Sequence, residues 1–326
     1  MGKYIFEEVN NIEEWGSFIQ TSKEYTIFSN PLYIQNFGGK YKLYFIKKGN
    51  QVKAGVYVIL EDDNNLKVDD LVIYFGILFE YNQFQKTTKS LLERFEITEF
   101  IIEYLDKMYN KIDIVLSPEI IDIRPFLWYN YHSNNLYDKF KVDIKYTSYI
   151  DISSLKEFKN EENTILFRNL ETLRQRNIRE ARKKEAYTII ENKSDLFIKY
   201  YKELMINQNS IPTEEKLKNM KNIIDILIKN NMAKMYISKN KDGVIQYITI
   251  FAWDRYRAYY LFGAPNPDAK ERYKGTISFW DAFIDLAKQG IKIVDMEGVN
   301  SPKRGWFKLS FGGELKTYYR VTKEKK

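Results

Sequence analysis

Residues 233–265 read AKMYISKNKDGVIQYITIFAWDRYRAYYLFGAP, and the fold turns on how this stretch is parsed. A run of alternating apolar and polar residues meets Lys241-Asp242-Gly243, a turn signal whose glycine tolerates positive φ. A second alternating run follows, then the polar "WDRYR", then a third run ending near a glycine. This pattern predicts a three-stranded antiparallel meander. Just beyond it, "GTISFWDAFIDLAKQG" has helical spacing and closes at Gly290, and "IKIVDMEGV" reads as a strand.

Working outward, residues 42–79 (KLYFIKKGNQVKAGVYVILEDDNNLKVDDLVIYFGILF) show the same order, with Lys48-Gly49-Asn50 as the first turn and "DDNN" as the second. An amphipathic helix, "KTTKSLLERFEITEFIIEYLDKMYN", and a strand, "KIDIVLS", come next. The order β-β-β-α-β therefore occurs twice, a duplication carried by element order more than by identity. The 326 residues suffice for two domains, expected at 1–152 and 153–326.

Composition narrows the chemistry. The chain has no cysteine and a single histidine, His132, in an Asn-rich aromatic loop. Disulfides, thiolate nucleophiles and Cys- or His-rich metal sites are excluded, and no metal is expected. The 51 Lys and Arg against 44 Asp and Glu give a net charge of +7, which suits anionic partners. The start, MGKYIFEE, has no basic-then-apolar signal, and the apolar run LVIYFGILF is too short to cross a bilayer. The reading is a cytoplasmic protein with no membrane span.

Three segments offer chemistry. Between the two copies, "LFRNLETLRQRNIREARKKEAYTIIEN" predicts a helix with Leu166, Leu170, Leu173, Ile178 and Ala181 on one side. Its cations, Arg176 and Arg179 among them, read either as a solvated face paired to Glu171, Glu180 and Glu185 or as a phosphate-binding surface. The turn before the second helix carries Arg272, Gly275 and Thr276, with Thr276 expected as N-cap. Backbone N–H groups there, beside an arginine, would suit a pyrophosphate. The strand after that helix ends in Asp295 and Glu297, which period two places on one face as a candidate base and its helper, or as counter-ions for Lys303, Arg304 and Lys308. Last comes Gly305-Trp306-Phe307-Lys308-Leu309-Ser310-Phe311-Gly312-Gly313, where Lys308 is either a snorkelling surface residue or a cation held over a reaction centre.

In this order, over roughly residues 25–320, the chain resembles the Fem-like branch of the GNAT acyltransferase superfamily, the group that includes the peptidoglycan interpeptide-bridge aminoacyltransferases. "RQRNIREARKK" is similar to its Arg-rich helix, "GWFKLSFGG" to its F-K-x-x-F-G segment, and "FSNPLYIQNFG" to its opening strand and helix. The resemblance implies an α+β fold of two tandem GNAT-like domains, each a mixed, mostly antiparallel sheet flanked by helices, with the active site in the second. It also implies that Lys308 stabilises the oxyanion or holds the donor carbonyl, that Phe307 and Tyr260 line the pocket, and that Arg272 and Gly275 sit at a coenzyme A pyrophosphate position. The helix after the Arg-rich segment, within "YYKELMINQNSIPTEEKLKN", lacks the Thr and Arg usual in the bridge-forming enzymes.

The expected activity is N-acyl transfer from an acyl-CoA co-substrate, with no permanently bound cofactor, to the amine of a small phosphate-bearing compound such as a nucleotide-linked amino sugar. Direct attack by the amine needs no covalent nucleophile, so the missing cysteine is no obstacle. One alternative is an aminoacyl-tRNA-dependent transferase acting on a peptidoglycan precursor, for which the basic helix suits tRNA. Another is a non-catalytic nucleotide or nucleic-acid binder.

Overall fold

The computed structural model describes residues 3–325; the first two residues of the MGKYIFEE start lie outside it. By contacts the chain falls into two compact units, one running to Lys145 and taking back the chain from Thr317, the other Tyr146–Lys316.

The first unit opens with β1 (Ile5–Glu8), α1 (Ile12–Ile19) and α2 (Pro31–Ile34). The expected opening strand at "FSN" is instead a 3-10 turn, because the Asn30 side chain accepts from Leu32 N–H and caps α2, with Pro31 at its first position. β2 (Lys40–Lys48) and β3 (Gln51–Asp62) form the hairpin, and β4 (Asn65–Leu66) and β5 (Gly76–Phe79) both pair with β3. The third meander run thus forms a strand only over its last residues. Then follow α3 (Thr87–Met108), β6 (Lys111–Val115) and α4 (Arg124–Trp128).

The second unit takes up within β7 (Lys141–Asp151). The predicted basic helix is broken in two, α5 (Ile165–Asn169) and α6 (Thr172–Lys183), and Leu173 points into water. β8 (Tyr187–Ile190), α7 (Ser194–Ile206) and α8 (Glu214–Lys229) lead into the meander β9 (Ala233–Lys239), β10 (Ile245–Trp253) and β11 (Ala258–Pro265). α9 (Lys274–Lys288), β12 (Ile293–Asp295) and α10 (Pro302–Leu309) complete this unit. The sheet runs β7-β12-β11-β10-β9-β8, antiparallel except for β11 beside β12. β13 (Glu314–Glu324) then crosses the boundary and pairs with β6 in the first unit.

α9 is the spine of the second unit. Its apolar spacing buries Ile277, Phe279, Trp280, Phe283 and Leu286 against the sheet. It ends in a Schellman motif, with Ile291 N–H donating to Leu286 O and Gly290 N–H to Ala287 O, and Gly290 supplies the positive φ of 93°. Phe279 touches Tyr260, Phe307 and Phe311 at ring-centroid distances of 4.6, 5.5 and 5.1 Å. That aromatic cluster locks α10 to α9 and β11, and so decides where Lys308 lies.

Candidate active site

The site forms where β12 ends. After Asp295 the backbone leaves the strand, and Glu297 takes φ +51°, a left-handed conformation that costs a non-glycine residue roughly 1–3 kcal/mol. The Asp295 carboxylate fixes this turn: Oδ1 accepts the Glu297 N–H at 2.7 Å and the Thr147 hydroxyl at 2.5 Å. The turn aims two consecutive carbonyls at α10. Lys308 donates to Glu297 O at 2.9 Å and to Gly298 O at 3.3 Å, and its ammonium lies 5.3 Å from the Tyr260 ring centroid.

Lys308 is therefore no surface snorkeller. Burial pulls its pKa below the usual lysine value, opposed by Glu297 and Asp295 and reinforced by Arg304. Glu297 is only 6% exposed, and its Oε1 is buried with no hydrogen-bond partner among the described residues. Burial drives its carboxyl well above the usual carboxylate range; the Lys308 charge pulls it back and Asp295 adds to the rise. A carboxyl with a raised pKa is suited to exchanging a proton, and an ammonium with one N–H still to give is suited to stabilising a negative charge.

Tyr260 reaches this point because β11 carries an extra residue opposite Ile250 and Phe251, a bulge that re-aims the strand. Its hydroxyl bonds that of Tyr247, and burial raises both phenols. Phe307 is half-buried, with the Arg174 guanidinium 5.0 Å from its ring centroid.

The structure separates the remaining expected residues. α9 starts at Lys274 with Tyr273 in the cap position, so Thr276 is the third helical residue and not the N-cap. Its buried hydroxyl accepts from Arg174 Nη1 at 2.6 Å and Asn177 Nδ2 at 3.1 Å. Gly275 lies beside Tyr247 and Phe307, which brings the start of α9 and the Phe307-Lys308 pair together. Arg272 is exposed just outside this helix start, and Arg304 is exposed on the first turn of α10. Arg179 is committed to Glu162 at 2.7 Å, whereas Arg176 is exposed and makes no ion pair among the described residues. Of the acids expected to pair the basic helix, Glu180 holds Lys184, but Arg182 reaches Glu161 and Asp281 instead. Sequence reasoning missed Thr147, Asn177 and Tyr247 and read Arg174 only as one cation of the basic helix; their roles come from neighbours distant in the chain. Among the described residues no acid or histidine cluster could hold a metal ion, and no helix is long and apolar enough to cross a membrane.

Neither a protein-family model nor a curated protein sequence matches the chain. Solved structures do. FemX aligns with a TM-score of 0.62 at 13% identity over 96% of both chains. The C-terminal domain (DUF2156) of a putative lysylphosphatidylglycerol synthetase from Agrobacterium fabrum aligns at 0.58 and 10%, covering 96% of this chain and 91% of that one. A tandem GNAT protein from the clavulanic acid biosynthesis pathway aligns at 0.52 and 8%, covering 98% and 97%. The chain has the tandem GNAT fold of the Fem-like proteins. Within that fold the second unit brings Lys308, Glu297 and Tyr260 together at the end of β12.

Proposed function

We propose that the protein is an N-acyltransferase, and that its second unit moves an acyl group from a coenzyme A thioester to a primary amine. The observation that carries this reading is the Lys308 ammonium clamped on two carbonyls beside the buried Glu297 carboxyl. The amine nitrogen forms a C–N bond to the thioester carbonyl, whose oxygen becomes an oxyanion and accepts the remaining N–H of Lys308. Glu297 takes the proton released by the attacking nitrogen. Collapse of the intermediate breaks the C–S bond, and the departing thiolate takes up the proton that Glu297 received, leaving an amide, a thiol and the Glu297 carboxylate restored. Tyr260 and Phe307 wall the carbonyl, and the start of α9 with Arg272 offers N–H groups and charge to the donor's pyrophosphate. The acceptor this reading favours is a small phosphate-bearing amine such as a nucleotide-linked amino sugar, in keeping with the net charge of +7.

A second reading, aminoacyl-tRNA as donor, is favoured by one feature: Arg168 and Arg176 are exposed on α5 and α6 without ion pairs among the described residues. Thermal unfolding with coenzyme A and acetyl-CoA, on wild type and Arg272→Ala, separates the two. A ligand at a hundredfold excess over Kd stabilises the native state by about 2.7 kcal/mol. A saturable shift lost in Arg272→Ala supports the thioester and leads to turnover assays with amino-sugar nucleotides. No shift at millimolar ligand, together with salt-sensitive binding of aminoacyl-tRNA, supports the second reading.

A further inference from the structure

We infer that Asp295 and Thr147 are positioning residues whose task is to hold the Glu297 backbone left-handed, so that two carbonyls stay aimed at Lys308. Asp295 entered as a candidate base, yet its place in the chain of contacts is one step back. It is fully buried, and its Oδ1 is occupied by the Thr147 hydroxyl and the Glu297 N–H. Thr147 sits on β7, whose Ile150 and Tyr149 pair with Val294 and Asp295 of β12. A single carboxylate oxygen therefore ties the neighbouring strand to the turn that follows β12.

The consequence runs through the backbone. A left-handed glutamate is disfavoured unless its surroundings over-determine it. Here the Asp295 bond to the Glu297 N–H holds one side, Met296 N–H to Ser148 O continues the tie to β7, and Val299 N–H to Tyr146 O closes it. Asn300 completes the brace, accepting from Tyr146 N–H and donating to Tyr146 O. Between these anchors lie Glu297 O and Gly298 O, the two acceptors of the Lys308 ammonium. Releasing the Asp295 end would let the turn relax to negative φ, which swings both carbonyls off Lys308. The reading rests on Lys308 being the group that serves the reaction, but the contact chain can be tested without substrate.

The measurement is the pH midpoint of Lys308 modification by an amine-reactive reagent, resolved residue by residue by mass spectrometry, in wild type, Asp295→Asn, Asp295→Ala and Thr147→Val. The charges facing Lys308 are Glu297 and Asp295 from the end of β12 and Arg304 on its own helix, with the Tyr260 ring from β11. Asparagine keeps an acceptor for both bonds and loses only the charge; alanine loses both. If Asp295 acted through charge alone, the two variants would move the Lys308 midpoint down together, since its negative charge favours the ammonium. Positioning predicts that they part: Asp295→Ala moves further down than Asp295→Asn, and Thr147→Val, which keeps the charge, also moves down, because an ammonium that loses its carbonyl acceptors gives up its proton more readily. Circular dichroism confirms folding, and Thr147→Val serves if Asp295→Ala does not fold.

Equal midpoints in folded Asp295→Asn and Asp295→Ala, or a Thr147→Val midpoint identical to wild type when Asp295→Ala is unfolded, would overturn the inference. In a turnover assay Asp295→Ala is expected to lower kcat ten- to a hundredfold with little change in KM. Parted midpoints without turnover on any donor would leave the positioning intact and sink the proposed activity instead.

Discussion

Gly305 packs α10 directly against the backbone of the turn after β12, and Gly305→Ala tests how the site is assembled. A Cβ there would lie 2.3 Å from the Val299 carbonyl oxygen and 2.9 Å from its carbon. Both are backbone atoms, so no rotamer change relieves the clash, and α10 must retreat by about 1 Å to restore ordinary contact. Overpacking of this kind costs about 3 kcal/mol at its upper end, while alanine gains about 1 kcal/mol over glycine in a helix. The net is about 2 kcal/mol of destabilisation, a fall of about 4–8 °C in Tm for a unit of this size. The kinetic effect should be larger. The retreat carries Lys308 away from acceptors now at 2.9 and 3.3 Å, and misplacement by 1 Å can cost about a hundredfold in rate. Calorimetry and single-turnover transfer read the two effects separately. Gly275→Ala is the comparison for stability, because a Cβ there meets only ordinary contacts at 3.5 Å or more and should leave Tm unchanged or raise it slightly. A Gly305→Ala protein as stable and as active as wild type would refute the idea that α10 is wedged on the turn after β12.

Three more outcomes are expected. Lys308→Met should keep the fold and lower transfer about a hundred- to a thousandfold, the usual loss of one oxyanion donor, as read in kcat. The pH–rate profile should be bell-shaped and narrow. Its rising limb tracks deprotonation of Glu297 and lies above the ordinary carboxylate range, its falling limb tracks deprotonation of Lys308 and lies below the ordinary lysine range, and Glu297→Gln should remove the rising limb. In the first unit, Arg320 Nε and Nη2 donate to Asp113 at 2.8 and 2.7 Å, and Asp113 is buried. Arg320→Met should therefore cost about 1–2 kcal/mol, reduced from the usual value for charged hydrogen bonds because Arg320 is about one-third exposed, and urea unfolding checks it.

Period-two runs and their turn residues made the two meanders legible, because each strand buries its apolar positions within its own neighbourhood. Helix α9 was legible for the same reason, down to its closing glycine. The break between α5 and α6 was not, since Leu170 and Glu171 leave the helix to meet partners far along the chain; Glu171 N–H donates to Ser310 O. Thr276 was misread because a threonine after a glycine is a local cap signal, whereas the structure spends its hydroxyl on Arg174 and Asn177 from α6. Phe307-Lys308 could be singled out from sequence, but only through resemblance. Thr147, 148 residues before Asp295, gave no local sign of its role.

The path of β13 bears on how the chain comes into being. The first unit needs Tyr318 and Val321 in its core and Arg320 on Asp113, yet these residues are made after the whole of Tyr146–Lys316. At typical synthesis rates about 170 residues take roughly ten to thirty seconds. During that interval the strand that β13 will flank, β6, presents an open edge bearing a buried-type aspartate without its arginine. The half of the protein that begins first is thus completed only by residues made after the whole of the other half.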